Sequence, residues 1–397
     1  MSSPMRRRTF IRLAGGGTLA AAALAPLAAC GAGSYFPAQA VEAWQGPLGE
    51  TDARRRAVAY AITAPNPHNL QPWVVDLREE GAITLRTDPE RLLPETDPLG
   101  RQILIGHGAF LELLVMALAQ QGVASEVVLW PQGPQSTQLQ GWDERPVARV
   151  VLRPGGQPDP LFAQVLRRRT PKVDFDTAKP VEPARLQALL ASASQEKNGL
   201  AVGGTVAPAP LQALRALCWQ SAQVELRTPR TMLESIRLMR VGPAEILAHR
   251  DGIALNTPFV RAMDALGLFD RSVAPPEGSA GYKAAAARFE GHSRTAMGFV
   301  WLAGGNTRAD QIRVGRAYVR LQLKATELGV GMHPMSQALQ EFAEMAPHYE
   351  RVHQLVLGRS APREAAEPTV QMLCRIGCPP GDVPATPRRP VGALLQL

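Results

Sequence analysis

Ala64-Pro65-Asn66-Pro67-His68-Asn69-Leu70-Gln71-Pro72-Trp73 is the stretch on which the reading of this chain turns. Its three prolines restrict φ and push the residues before them out of the helical region, so a helix running from about Arg54 must stop near Ala64. Beyond Trp73 an apolar alternation opens a strand. Between the two, Asn66, Asn69 and Gln71 stand on a stiffened backbone. Carboxamides donate and accept together, so they can read a heterocycle with alternating carbonyl and N–H groups, a flavin or a purine, without imposing charge. A helix-to-strand turn rich in proline and asparagine would carry the same residues for structural reasons alone.

Outward from this loop, residues 74–77 and 83–87 alternate as strands of a hairpin turned at Glu79-Glu80-Gly81. Residues 103–121 are apolar at helical spacing on nearly every side, which predicts a buried helix forming the spine between two halves. Strands are expected over 126–130 and 148–152, and the first half closes near Gly155-Gly156. The second half is expected to open with a helix over 158–168, followed by helices reaching Ser192 and spanning 208–226, 231–239 and 259–266. A strand over 297–303, a helix over 308–328 capped by Gly329, a last strand over 369–376 and an extended tail over 379–390 complete it. Residues 268–283 contain Gly, Pro and Ser with little periodicity.

A chain of 397 residues with 45% hydrophobic content sustains two domains or one large fused one. The formal net charge of +8 falls to +4 once Arg6, Arg7, Arg8 and Arg12 are set aside as part of a leader. No basic face with interleaved aromatics accompanies that excess, so no nucleic-acid partner is expected. Arg7-Arg8-Thr9-Phe10-Ile11-Arg12 and the apolar run after it resemble a twin-arginine export signal over residues 1–29. Leu27-Ala28-Ala29-Cys30 resembles a lipobox, which would leave a lipid-bearing Cys30 at the mature N-terminus; the alternative is an ordinary signal peptide with a coincidental cysteine. The expected location is the periplasm or cell envelope, with acyl chains holding the protein at the membrane and residues 30–50 as a tether. The histidines and cysteines show no metal-ligand spacing, and Cys374 and Cys378 read as separate thiols. Hydrolase and kinase motifs are absent.

The pattern Ala-Pro, three variable residues, then Asn-x-Gln-Pro-Trp resembles the flavin-contacting loop of the nitroreductase family of FMN oxidoreductases. Further blocks follow in order: Asp97-Pro98, Arg101-Gln102-Ile103-Leu104-Ile105-Gly106-His107-Gly108-Ala109, Arg168-Arg169-Thr170-Pro171-Lys172, Met332-His333-Pro334-Met335-Ser336-Gln337 and Pro387-Arg388-Arg389-Pro390. Together they resemble the Acg branch, in which one chain carries two related halves and mimics the usual homodimer. The resemblance implies an α+β, nitroreductase-like fold, with residues 51–155 as the first half, 156–397 as the second, residues 268–283 as a candidate lid over the flavin, and a monomer acting as a pseudo-dimer.

For the site, the resemblance implies FMN bound by Pro65, Asn66, Asn69 and Gln71, by Arg168, Thr170 and Lys172 at the phosphate, by Gly331 and Met332, and by Arg388 and Arg389. Lysine at 172 keeps the charge usual there but loses the arginine fork. No catalytic residue stands out; His68 and His333 are candidates to tune the flavin or to donate a proton. The implied activity is an oxidoreductase passing hydride or electrons from reduced flavin to a small electron-poor acceptor, a quinone or nitroaromatic. NAD(P)H is the candidate donor. The alternative is a protein that sequesters or stores flavin without turnover.

Overall fold

The computed structural model describes residues 35–193, 199–362 and 364–396. The expected export signal and Cys30 lie outside the described residues. Asp52 starts the first helix, α1 (Ala53–Ala61), by accepting from the backbone N–H groups of Arg54 at 2.8 Å and Arg55 at 3.3 Å. The proline loop ends it. An antiparallel hairpin follows, β1 (Trp73–Asp76) and β2 (Ala82–Thr87), turned where Gly81 takes a φ of +70°. Helix α2 (Arg101–Ala119) is buried on nearly every side, as its composition requires. Among the described residues it is the helix long and apolar enough to cross a membrane, and here it lies inside the fold.

Strands β3 (Val123–Leu129) and β4 (Ala148–Pro154) extend the first sheet. The second half contributes α3 (Pro183–Ala193), β5 (Ala201–Thr205), α4 (Pro208–Arg227), α5 (Pro229–Arg237), β6 (Met239–Val241), α6 (Gly242–His249), β7 (Ile253–Leu255), α7 (Pro258–Ala265) and α8 (Ala280–Arg294). It ends with β8 (Gly298–Gly304), α9 (Arg308–Glu327), β9 (Gly331–Pro334), α10 (Ala346–Leu357), β10 (Thr369–Gly377) and β11 (Leu395–Gln396). Among the described residues the sheets run β11-β1-β2-β4-β3 and β5-β8-β10-β9, with β6 and β7 as a separate pair. The fold is α+β.

The two halves meet at the crossing of α2 and α9. A Cβ placed on Gly108 would stand 2.1 Å from the Ile312 carbonyl oxygen, and one on Gly315 would stand 1.9 Å from the Ile105 carbonyl oxygen. Gly108 and Gly315, like Ile105 and Ile312, are each 207 positions apart, as are the first residues of the two helices, Arg101 and Arg308. Each helix therefore presents the same surface to the other, the reciprocal contact that a two-fold axis makes. Ile312 packs into the core beneath the first sheet and Ile105 into the core beneath the second.

Four expectations change. Residues 36–50 do not hang free as a tether, because short 3₁₀ turns over Ala38–Ala40 and Glu42–Gln45 bury Trp44, whose Nε1–H donates to the Thr386 carbonyl at 2.8 Å. No helix fills 158–168; a 3₁₀ turn over Pro160–Gln164 is all that forms before Arg168 turns inward to the Thr63 carbonyl at 2.7 Å. β10 is not the last strand, since β11 returns to pair in parallel with β1 and carries the C-terminal tail into the first half. Residues 280–283 of the candidate lid belong to α8, and Arg271 in the rest of it bonds to the Met239 carbonyl and Glu245.

Candidate functional site

The proline loop is strained and tied down. His68, Asn69 and Gln71 hold φ values of 48°, 56° and 54°, a region that costs a non-glycine residue about 1–3 kcal/mol and that histidine and asparagine tolerate better than most. Side chains supply the restraint. Asn66 Oδ1 accepts from Gln71 N at 2.8 Å, and Gln71 Nε2 donates to the Arg250 carbonyl at 2.9 Å and the Asn69 carbonyl at 3.3 Å. Gln71 Oε1 accepts from Arg389 N at 2.8 Å, while Asn69 Nδ2 donates to the Pro387 carbonyl at 3.1 Å and its Oδ1 accepts from Arg388. Gly106 gives the loop room, for a Cβ there would meet that of Asn66 at 3.2 Å.

These bonds alter the expected division of labour. The carboxamide of Gln71 is wholly spent on the backbone, and that of Asn69 largely so; they shape the loop and clamp the tail to it. Replacing Gln71 with alanine strands Arg389 N and the Arg250 carbonyl, so it should cost about 1–3 kcal/mol, read as a lower urea midpoint at unchanged slope. Met332 is also reassigned, because its side chain lies in the core beneath the second sheet. At Gly331 a Cβ would come within 3.0 Å of Phe175, Pro171 and the Gly377 carbonyl, so the glycine permits close packing of β9. Pro65 is buried within the loop.

The cations do converge. Arg168, 1% exposed, donates to the Thr63 carbonyl, to Gln322 Oε1 at 2.8 Å and to Thr170 Oγ1 at 3.1 Å. Arg388, 4% exposed, donates to the same Thr63 carbonyl at 3.2 Å and to Thr386 Oγ1 at 2.7 Å. Trp44 covers both and Arg169, with its ring 4.4 to 5.3 Å from the three guanidinium carbons. Among the described residues no carboxylate pairs with Arg168, Arg169, Lys172, Arg388 or Arg389. Burial pushes Arg168 down to about 10 and Arg388 well below its ordinary value, with neighbouring arginines adding to the second effect. Buried cations are ordinarily paired with acids; here neutral carbonyl, carboxamide and hydroxyl oxygens take the terminal N–H groups instead. The Nε atoms of Arg168 and Arg388 stand buried without an acceptor.

No family model matches the chain. A Mycobacterium tuberculosis protein named "Putative NAD(P)H nitroreductase acg" is 33% identical over 125 residues, 32% of this chain and 36% of that protein. An uncharacterized protein of the same organism is 32% identical over 126 residues, 31% of this chain and 36% of its own length. The chain thus spans about a third of the length of the curated relatives it matches. Among solved structures, an FMN and NADPH-dependent nitroreductase, NfnB, superposes on 60% of this chain at 14% identity and a TM-score of 0.38. A nitroreductase-like protein from Bacillus cereus does so over the same share at 12% identity and a TM-score of 0.32.

Lys172 lies beside Arg375, whose guanidinium bonds to His333 and to the carbonyls of Pro171 and Val173 on either side of the lysine, and its charge acts on both His68 and His333. Lys172 keeps open surface, yet protein surrounds it closely enough that burial, with Arg288 and Arg388, pushes its ammonium down to about 8. Burial and Lys172 push His68 down to about 4, and its Nδ1 has no partner. His292, 4% exposed, leaves Nδ1 unpartnered in the same group, and its ring meets that of His333 edge-on at 5.1 Å. A cavity of about 490 Å³ lies between residues 38–50, α1 and the tail; Arg388 and Arg389 reach its wall, but His68, Lys172 and His333 do not. Arg389 itself turns toward the carbonyls of Gln71 at 3.2 Å and Ala393 at 2.9 Å, away from the arginine cluster.

Residues unseen in the sequence also build this site. Trp44 sits in a Pro- and Gly-rich stretch that composition alone marks as linker. Arg250 and Gly252, between α6 and β7, hold the loop through backbone bonds that no motif announces, with Gly252 N donating to the Asn69 carbonyl at 3.1 Å. Arg375 did leave a signal: a single arginine inside the apolar run Met372-Leu373-Cys374-Arg375-Ile376 needs a buried reason to be there.

Proposed function

We propose that this chain is an FMN-binding oxidoreductase of the nitroreductase type, with both halves in one polypeptide. The observation that carries the reading is the carboxylate-free group of Arg168, Lys172 and Arg388, in which the Nε atoms of both arginines are buried without an acceptor; such a group fits a phosphate-bearing ligand. Arg168 and Arg388 would hold the phosphate, Lys172 would face it, and the proline loop would form the wall of the ring. The bound flavin would supply hydride or electron transfer to a small electron-poor acceptor of the quinone or nitroaromatic class. NAD(P)H is the donor to test, since the Mycobacterium relative is named for it. We further propose that residues 1–29 direct export by the twin-arginine route and that Cys30 carries lipid. Serine at position 30 should then move the protein out of the detergent phase.

A non-catalytic flavin store is the second reading, and the spent carboxamides of Asn69 and Gln71 favour it to the extent that they leave a rigid, pre-closed loop. The visible spectrum separates the two. A yellow protein that bleaches anaerobically with NADH or NADPH is the oxidoreductase. One that bleaches with dithionite alone is the store, or takes electrons from another donor. A colourless protein that cannot be reconstituted with FMN removes the basis of both.

A further inference from the structure

Arg375 and His333 are directly opposed in the antiparallel register of β10 and β9. Arg375 Nε donates to His333 Nδ1 at 3.0 Å. Its remaining N–H groups go to the carbonyls of His292 at 3.0 Å, Val173 at 2.6 Å and Pro171 at 3.3 Å and to Thr295 Oγ1 at 3.4 Å, and its guanidinium lies 4.2 Å from the centre of the Phe175 ring. The side chain is fully buried and cannot turn. A guanidinium offers no acceptor, so the contact forces His333 Nδ1 to accept and leaves the ring proton on Nε2. A doubly protonated ring would set two N–H groups against each other. Burial, then Arg375, His292 and Lys172, also hold His333 well below its ordinary range. No bond within the described residues falls to Nε2, and the residue is part-buried rather than buried.

We propose that Arg375 is a positioning residue that fixes His333 as a neutral Nε2–H donor, and that this donor and the Lys172 ammonium together form a binding position for a ligand oxyanion. The inference rests on the phosphate-binding part of the proposed function and not on its redox chemistry. One neutral and one cationic donor suit an oxygen that must be gripped without adding a further charge to a crowded cationic wall. Asp174 is the carboxylate that faces this group, acting on Arg375.

The test needs no flavin. In the full chain with nitrogen-15-labelled histidine, His333 should show a bare Nδ1 and a protonated Nε2 at neutral pH, and Arg375→Lys, which loses the fork, should mix the two tautomers. By calorimetry with inorganic phosphate, His333→Asn should weaken binding about tenfold, while His333→Gln, whose amide reaches the Nε2 position, should keep most of it. If Arg375→Lys does not fold, the two His333 variants decide the matter alone. A proton on Nδ1, no phosphate binding by the parent chain, or His333→Asn binding phosphate as tightly as the parent would overturn the assignment. Phosphate binding with the expected pattern in a chain that never takes up FMN would leave this inference standing and remove the proposed function.

Discussion

Alanine at Gly108 is expected to lower the stability of the protein by about 3 kcal/mol or more, at the upper end of what overpacking usually costs. The added methyl would sit 2.1 Å from the Ile312 carbonyl oxygen, and that oxygen belongs to the backbone of α9 and cannot swing aside as a side chain would. α2 and α9 must move apart instead, which opens both cores along the crossing. Gly315→Ala should cost a similar amount for the reciprocal reason, with its methyl 1.9 Å from the Ile105 carbonyl oxygen. Because one separation relieves both clashes, the double variant should cost clearly less than the two singles together. Gly392→Ala, with no neighbour within 4 Å of its added methyl, is the neutral control. Urea midpoints decide the point: additive losses would mean two independent sites, and no loss would mean that the helices do not cross so closely.

That crossing marks the boundary of what the sequence disclosed. The burial of α2 was legible because an apolar helix has one physical destination, and the loop before β1 was legible because prolines act on their own neighbours. The equivalence of Gly108 with Gly315 was hidden, since only scattered residues repeat at that offset, Arg101 with Arg308 and Ile105 with Ile312 among them, and the contact is made by backbone. β11 was hidden for a related reason: two residues paired in parallel leave no periodicity to read. At the site, the cations were visible as a short run, Arg168 to Lys172, whereas their lack of any acid partner is a property of space. The expected ring-reading amides were chemically apt, yet the fold uses their hydrogen bonds to hold three left-handed residues in place.

The strain and the missing acids belong together. A loop held at unfavourable φ values by bonds to Arg250, Pro387 and Arg389 is pre-organised, and under the proposed function it forms a wall beside cations whose acid partner arrives only with the ligand. Ligand binding should therefore stabilise this chain strongly, since a ligand held by the folded state alone adds to its stability by mass action.

Lys172→Met isolates that balance. The ammonium makes no bond within the described protein, so its loss should leave the ligand-free melting temperature unchanged or slightly higher, while FMN and phosphate binding should weaken by about 10- to 100-fold. The pH dependence carries a definite sign. The folded protein holds the group at about 8 against an ordinary 10.5, so between those values the unfolded chain binds more protons and ligand-free stability rises with pH. An anion binds the protonated form, so affinity should fall as pH climbs through about 8 and beyond. The ligand contributes no slope there, because a phosphate monoester has lost its second proton near pH ~6. In Lys172→Met both slopes should flatten. A variant that keeps the parent's affinity and the parent's decline above pH 8 would show that another group faces the phosphate, and Arg388, already unpaired at Nε, would be the next to replace.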